Sequence, residues 1–323
     1  MLPTRDVLGI LVDNLEKRGC VFPLSQRQAT RWADGLGIPR GGSTVLYTGL
    51  MYQLGPYIAA LVDRMAKLEN SRLTRLFWLG RDVNRIMNLS RFLAFTSRKE
   101  TRAAESVLRN IARLLTQAQV AFGYLYGDEL YSGALAYDQG ADDVFEKHAQ
   151  KVNDVLRAYG IRRVITVDPH TTNMLRSVYP KVLDAFDIEV KSYLEVLAER
   201  DMKPTNSMST ELVTHDSCVY ARYEDVISQP RTLLLRAGAR VREPVNAGRY
   251  TLCCGGPIES LFPGAALEVA ERRVGQLADA GSTAVTMCPL CLLNLRKAAD
   301  SRIAISDISE YLVEAYCEEE RST

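Results

Sequence analysis

Hydrophobic positions along this chain switch between two periods. Over 265–280, Ala266, Leu267, Ala270, Val274 and Leu277 recur at helical spacing, and Gly281 ends the run. Short β-type runs flank it at 211–214, at 283–287 and around Ile303 and Ile305; another at 250–252 leads into Cys253-Cys254-Gly255-Gly256-Pro257. Further helices are expected over 223–237 and 308–317, and one opens at Cys288-Pro289-Leu290-Cys291, with proline where helix starts favour it. The upstream half repeats this order, with strands at 45–47, 121–125 and 163–167 and a helix at 144–159 closed by Gly160. A further helix opens at Asp168-Pro169-His170-Thr171 and ends near Tyr179-Pro180. Residues 1–19 carry Asp6, Asp13 and Glu16 among apolar positions, the pattern of an amphipathic helix and not of a secretion signal. Strands alternating with helices predict an α/β fold.

The two halves correspond. Pro169 pairs with Pro289, Leu175 with Leu295, Gly160 with Gly281 and Gly133 with Gly255, at separations of 120 to 122 residues. Such a constant offset points to duplication of one α/β unit. The expected organisation is a helical N-terminal cap at 1–40, a first domain at 41–200 and a second at 201–323, the last boundary lying in the Pro/Asn/Ser-rich stretch 201–209. The copies differ in chemistry. Tyr131-Ser132-Gly133 stands opposite Cys253-Cys254-Gly255, Asp168-Pro169-His170-Thr171 opposite Cys288-Pro289-Leu290-Cys291, and Leu50–Tyr52 opposite Cys218. The first copy also has 80 residues between Leu50 and Tyr131 against 34 between Cys218 and Cys253; within that insertion, 72–120 holds ten Lys/Arg and three Asp/Glu.

Composition narrows the function classes. The 323 residues carry 40 basic and 39 acidic side chains, so a net charge of +1 gives no pull towards nucleic acid or acidic membranes. A hydrophobic share of 47% without low-complexity tracts excludes general disorder. Residues 41–62 lack charge, but Gly49, Gln53, Gly55 and Pro56 fit a strand, turn and buried helix better than a membrane span. The expected setting is cytoplasmic, in association with a larger or membrane-bound complex. Seven cysteines, five of them between 218 and 291, are too sparse and too clustered for a disulfide-stapled secreted domain.

Those five form the pattern C-x34-CC-x33-C-x2-C. Three chemistries compete for it. Structural zinc takes four thiolates, usually as two separated pairs. A cubane iron–sulfur cluster takes four in tighter runs, and a redox C-x-x-C explains only Cys288 and Cys291.

The segments His215-Asp216-Ser217-Cys218, Cys253-Cys254-Gly255-Gly256 and Cys288-Pro289-Leu290-Cys291 resemble the cysteine-rich "CCG" domain of the B and D subunits of heterodisulfide reductase. That family's relatives include subunits of sulfite-reduction, lactate and glycolate oxidation systems. The first half is similar through Trp32-Ala33-Asp34-Gly35-Leu36, Gly49, Gly133, Pro169-His170 and Tyr179-Pro180. The resemblance implies two tandem Rossmann-like CCG domains related by pseudo-twofold symmetry. It implies that Cys218, Cys253, Cys254, Cys288 and Cys291 bind one non-cubane [4Fe-4S] cluster, with Gly255 and Gly256 allowing close backbone approach. It further implies a disulfide-reductase-type catalytic subunit of an electron-transfer complex, acting on a thiol or disulfide substrate. The alternatives are an electron-relay subunit of a hydroxy-acid oxidoreductase and a zinc-bearing structural subunit.

Two departures from the family matter. The first half has no thiol at any ligand position, so its CCG motif is degenerate and should hold no cluster; Asp168 and His170 are two candidate metal ligands lacking a third. The ferredoxin-type cysteine run of proteins like the reductase's D subunit is absent, so electrons would come from a separate ferredoxin-like partner; the basic insertion is either its dock or a solvated helix face. His215, three residues before Cys218, is a candidate catalytic proton donor to a leaving thiolate, or else a hydrogen-bonded structural histidine. Arg222 is a candidate contact for an anionic substrate group or a surface residue. Cys20 and Cys317 fall outside the pattern.

Overall fold

The computed structural model describes residues 4–22, 24–68, 96–259 and 261–318. Two parallel sheets organise them. The first has the order β1-β2-β3, with β1 Thr44–Tyr47, β2 Arg163–Thr166 and β3 Glu189–Ser192. The second has the order β5-β4-β6-β7, with β4 Glu211–Thr214, β5 Arg240–Arg242, β6 Thr283–Thr286 and β7 Ala304–Asp307. The strands are short and, β5 apart, largely buried, as expected when helices cover parallel sheets.

Local chemistry recurs at matching strand ends. After β3, Ser192 and Glu195 form a capping box that starts helix Tyr193–Ala198; after β7, Asp307 and Glu310 do the same for helix Ile308–Tyr316. After β2 and β6, helices Pro169–Asn173 and Pro289–Ala299 both begin on proline. Asp168 caps the first by accepting from the amides of His170 (2.9 Å) and Thr171 (3.0 Å), whereas Cys288 occupies the second N-cap without making a cap bond. Gly133 and Gly255 share a left-handed backbone, φ 80° and 81°, and each opens a short helical turn.

The insertion in the first half is partly a core element. Helix Arg98–Gln117 is capped by Ser97 and Glu100 and buries Val107, Leu108, Ile111, Leu114 and Leu115. These side chains join one apolar cluster with Leu46 and Ile165 of the first sheet, Leu212 and Val285 of the second, and Leu312 of helix Ile308–Tyr316. Its arginines also serve the fold, since Arg109 donates to the carbonyls of Trp32 (2.9 Å) and Asp34 (2.8 Å). The rest of the insertion expected to dock a partner, residues 72–95, lies outside the described residues.

Several sequence expectations change. Residues 121–125 make two isolated bridges, Gly123 with Val45 and Tyr124 with Arg40, and no named strand. A Cβ on Gly123 would lie 1.7 Å from the Gly41 carbonyl oxygen, so only glycine admits this close crossing. Residues 250–252 are no strand either: a 3-10 turn, Gly248–Tyr250, precedes the cysteine pair. The edge strand β5, with both arginines exposed around a half-buried Val241, is too short to signal itself. The helix expected from 223 starts at Ser228, because a π-helical turn, Tyr220–Glu224, ends on Asp225 at φ 56°. The uncharged 41–62 stretch contains β1 and the first turns of helix Met51–Leu68, and no helix among the described residues is long and apolar enough to cross a membrane.

Candidate metal centre

All five patterned cysteines meet at the carboxyl ends of β4 and β6, the edge where open parallel sheets bind ligands. Cys218 follows β4 after His215, Asp216 and Ser217; Cys288 and Cys291 flank the first turn of helix Pro289–Ala299. Cys254, Cys288 and Cys291 are buried, whereas Cys218 and Cys253 are half-buried and form the open side. Cys218 Sγ and Cys253 Sγ are 4.0 Å apart. The Gly255 amide donates to Cys253 Sγ at 3.4 Å, and Asn294 Nδ2 donates to the Cys254 carbonyl at 3.3 Å.

The glycine pair is a steric requirement. A side chain on Gly255 would place Cβ 2.4 Å from the Ala266 carbonyl oxygen, on a backbone at φ 81°. A Cβ on Gly256 would sit 3.2 Å from Leu290 Cβ and 3.4 Å from Cys254 Sγ. Gly255 thus seats the chain against helix Pro263–Ala280, and Gly256 brings it close to the Cys254 thiol.

The thiols do not ionise alike. Hydrogen bonding to Cys253 raises Cys218 and Cys254, and the bond to Cys254 raises Cys291. Cys253 is correspondingly held low by Cys218 and Cys254, and the Gly255 amide adds to the effect. Burial would raise Cys288, but hydrogen bonds from Cys291 and His170 outweigh it and hold that thiol well below its usual range. The helix start at Cys288 favours the same charge.

His215 lies beneath this group, 1% exposed. Arg273 Nε donates to its Nδ1 at 3.1 Å, which puts the ring proton on Nε2, and Nε2 is buried without a hydrogen-bond partner. Burial, then the Arg273 charge, pushes His215 down to about 3, so it is a neutral imidazole at pH 7. What His215 offers in this setting is a fixed N–H. Arg273 itself is fully buried and also donates to the Val245 carbonyl at 2.9 Å.

Sequence reasoning misses Arg273, although a signal exists. It shares the inward face of its helix with Ala266, Ala270 and Leu277, and a cation in that stripe needs a buried partner. Asp216 enters the sequence reading only as part of a motif. Its carboxylate takes both Nη atoms of Arg231 (2.7 and 2.8 Å) and the Gly248 amide (2.7 Å), tying down the loop that leads to Cys253. Arg222 is used in the same loop, donating to the Thr251 carbonyl at 2.6 Å. Cys20 and Cys317 are buried, and burial pushes Cys20 up to about 12.

In the first half, Tyr131, Ser132 and Thr171 are buried at the positions matching Cys253, Cys254 and Cys291. Asp168 is used as a helix cap, and His170 faces Asp138 at 3.7 Å. No group of three or more His, Cys, Asp or Glu side chains placed to hold a metal ion occurs among the described residues.

Residues 212–296 match the CCG cysteine-rich domain family. The chain is 31% identical over 224 residues to EtfAB:quinone oxidoreductase of Syntrophomonas wolfei, covering 64% of this chain and 31% of that protein. It is 27% identical over 263 residues to the Bacillus subtilis protein named "Probable iron-sulfur-binding oxidoreductase FadF", covering 77% of this chain and 35% of the relative. It is 25% identical over 251 residues to the D subunit of the dihydromethanophenazine:CoB--CoM heterodisulfide reductase of Methanosarcina acetivorans, covering 74% and 61%. The chain thus spans about a third of the length of the first two relatives and about three fifths of the third. Residues 212–296 are a CCG cysteine-rich domain, and the homologues of this chain include the D subunit of heterodisulfide reductase and iron–sulfur oxidoreductases.

Proposed function

We propose that Cys218, Cys253, Cys254, Cys288 and Cys291 hold one non-cubane [4Fe-4S] cluster, and that the chain is the disulfide-cleaving or disulfide-forming subunit of an electron-transfer complex. The observation that carries this reading is the gathering of five thiols at one strand-end site, three of them buried. Soft thiolates suit iron–sulfur groups. The fit extends to the Gly255–Gly256 cradle and to the orphaned Nε2–H of His215, a buried donor awaiting an acceptor.

Bound there, such a cluster supplies one-electron transfer and an iron to hold a substrate sulfur. The chain's own residues do the rest. Arg273 fixes the tautomer of His215, the Gly255 amide donates to Cys253, and the start of helix Pro289–Ala299 favours the negative charge of Cys288. Splitting a disulfide takes two electrons and two protons and yields two thiols; a ferredoxin-like iron–sulfur partner supplies the electrons. The same reading treats the halves as a duplicated, pseudo-twofold pair of Rossmann-like domains at 41–200 and 201–323 behind a cap at 1–40. It is supported by the shared capping boxes, proline helix starts and left-handed glycines.

A second reading has its own support. The likeness to an EtfAB:quinone oxidoreductase favours an electron relay whose cluster never meets substrate. Electron paramagnetic resonance of the anaerobically oxidised protein separates the two. Addition of a small thiol changes the signal if sulfur binds at the cluster, and an unchanged signal rejects the disulfide reading in favour of the relay.

A further inference from the structure

The turn that carries Cys218 is held from two sides. Cys218 opens a helical turn after β4 that widens into the π-helical turn Tyr220–Glu224. Such wide turns are rare and recur at functional sites, where they re-aim side chains. On one side, Arg222 donates to the Thr251 carbonyl at 2.6 Å and to the Arg249 carbonyl at 3.2 Å, in the loop that leads to Cys253. On the other side the first half takes hold. Glu224 closes the turn with a side chain only 1% exposed, and it accepts from Asn173 Nδ2 (2.6 Å), Arg176 Nε (2.6 Å) and Ser177 Oγ (2.8 Å). Arg176 Nη2 also donates to the Glu224 carbonyl at 2.9 Å. At the start of the turn, the Tyr220 and Thr172 hydroxyls are 3.3 Å apart.

The holding groups are themselves fixed. Arg176 Nη1 donates to both carboxylate oxygens of Glu195, at 3.0 and 2.8 Å, and Glu195 completes the capping box on Ser192 at the end of β3. Thr172, Asn173, Arg176 and Ser177 come from helix Pro169–Asn173 and the π-helical turn Met174–Val178 that continues it. This is the segment of the first half that matches the helix bearing Cys291. A buried ion pair that loses one partner is strongly destabilised, and a side chain locked by several bonds fixes the backbone that bears it. Cys218 needs such fixing, because it is half-buried on the open side, 4.0 Å from Cys253.

We propose that the clamp of Asn173, Arg176 and Ser177 on Glu224 sets the place of Cys218, so that the thiol-free half positions one ligand of the cluster bound in the other half. The inference rests on the cluster reading above. Glu224 and Arg176 are positioning residues, acting on the thiol only through the turn. Without the clamp, the turn moves away with its thiol while the buried cysteines stay in place.

Alkylation by iodoacetamide, mapped by mass spectrometry, tests this together with paramagnetic resonance on the anaerobically loaded wild-type, Cys218→Ser, Glu224→Gln, Arg176→Met and Arg176→Lys proteins. In Glu224→Gln and Arg176→Met, Cys218 should be alkylated about tenfold faster than in the wild type, as when local opening is eased. Cys288 should stay protected, and the cluster signal should move towards that of Cys218→Ser. Arg176→Lys keeps the charge without the fork and should fall between. Wild-type alkylation and signal in the clamp variants overturn the proposal, and so does a rise shared equally by Cys288, the mark of general loosening. The ratio of Cys218 to Cys288 alkylation is also readable on metal-free protein, where an unchanged ratio in the clamp variants overturns the proposal. Asn173→Ala, which removes a single bond to Glu224, takes the place of a variant that does not fold. A clamp without effect beside an altered Cys218→Ser signal sinks the positioning role alone. A loaded Cys218→Ser protein with the wild-type signal sinks the reading of Cys218 as a ligand, and the positioning role with it.

Discussion

Glu129 is a carboxyl group sealed at the end of β1. It accepts from the amides of Thr48 and Gly49 and from the Thr48 hydroxyl, yet burial outweighs these bonds and pushes it up to about 7. Between its ordinary value of 4.5 and about 7, the folded state therefore binds more protons than the unfolded state. Its contribution to stability is fully present below pH 4.5 and is lost as pH rises through 7. Glu129→Gln, which mimics the protonated acid, should flatten the fall of Tm between pH 5 and 7. A variant with the wild-type slope, measured by thermal denaturation across that range, would show that Glu129 does not carry the effect. Residue-scale chemistry is unevenly legible in the sequence. The five cysteines announce themselves because their spacing is local information. Arg273 does not, because its partner His215 lies far away in sequence and only the fold brings them together.

At the scale of elements, helix Arg98–Gln117 does the most to join the two sheets. No helix is expected there from the sequence, because the ten basic residues of 72–120 suggest a docking surface instead. Which way its apolar stripe faces depends on helices Met51–Leu68 and Ile308–Tyr316, far away in sequence. Leu115, fully buried in the cluster shared by both sheets, provides the test. Leu115→Ala should cost about 2–5 kcal/mol, the range for a large-to-small change in a packed core. Tryptophan fluorescence and far-ultraviolet circular dichroism should still report one coincident transition in denaturant. Two separate transitions would show that the halves fold independently and that this helix does not couple them. Among strands, β3 escapes the sequence, its one apolar residue Val190 standing between Glu189 and Lys191, while β1, β2, β4, β6 and β7 are readable from their apolar and β-branched runs. β5 is not, being an edge of three residues, and 250–252 misleads because Tyr250 is 83% exposed in a turn.

At the scale of the molecule, two parallel sheets share helix-start chemistry and one apolar cluster, while the five patterned thiols stand at one sheet only. The repeat spacing foretells this asymmetry, because strand ends recur at a fixed offset while their side chains change. It cannot foretell that helix Arg98–Gln117 packs into a cluster shared by both sheets. The central claim is that the five cysteines bind one iron–sulfur cluster. Determination of iron, acid-labile sulfide and zinc on anaerobically purified protein tests it most directly. About four irons and four sulfides per chain are expected; about one zinc per chain without sulfide would contradict the claim.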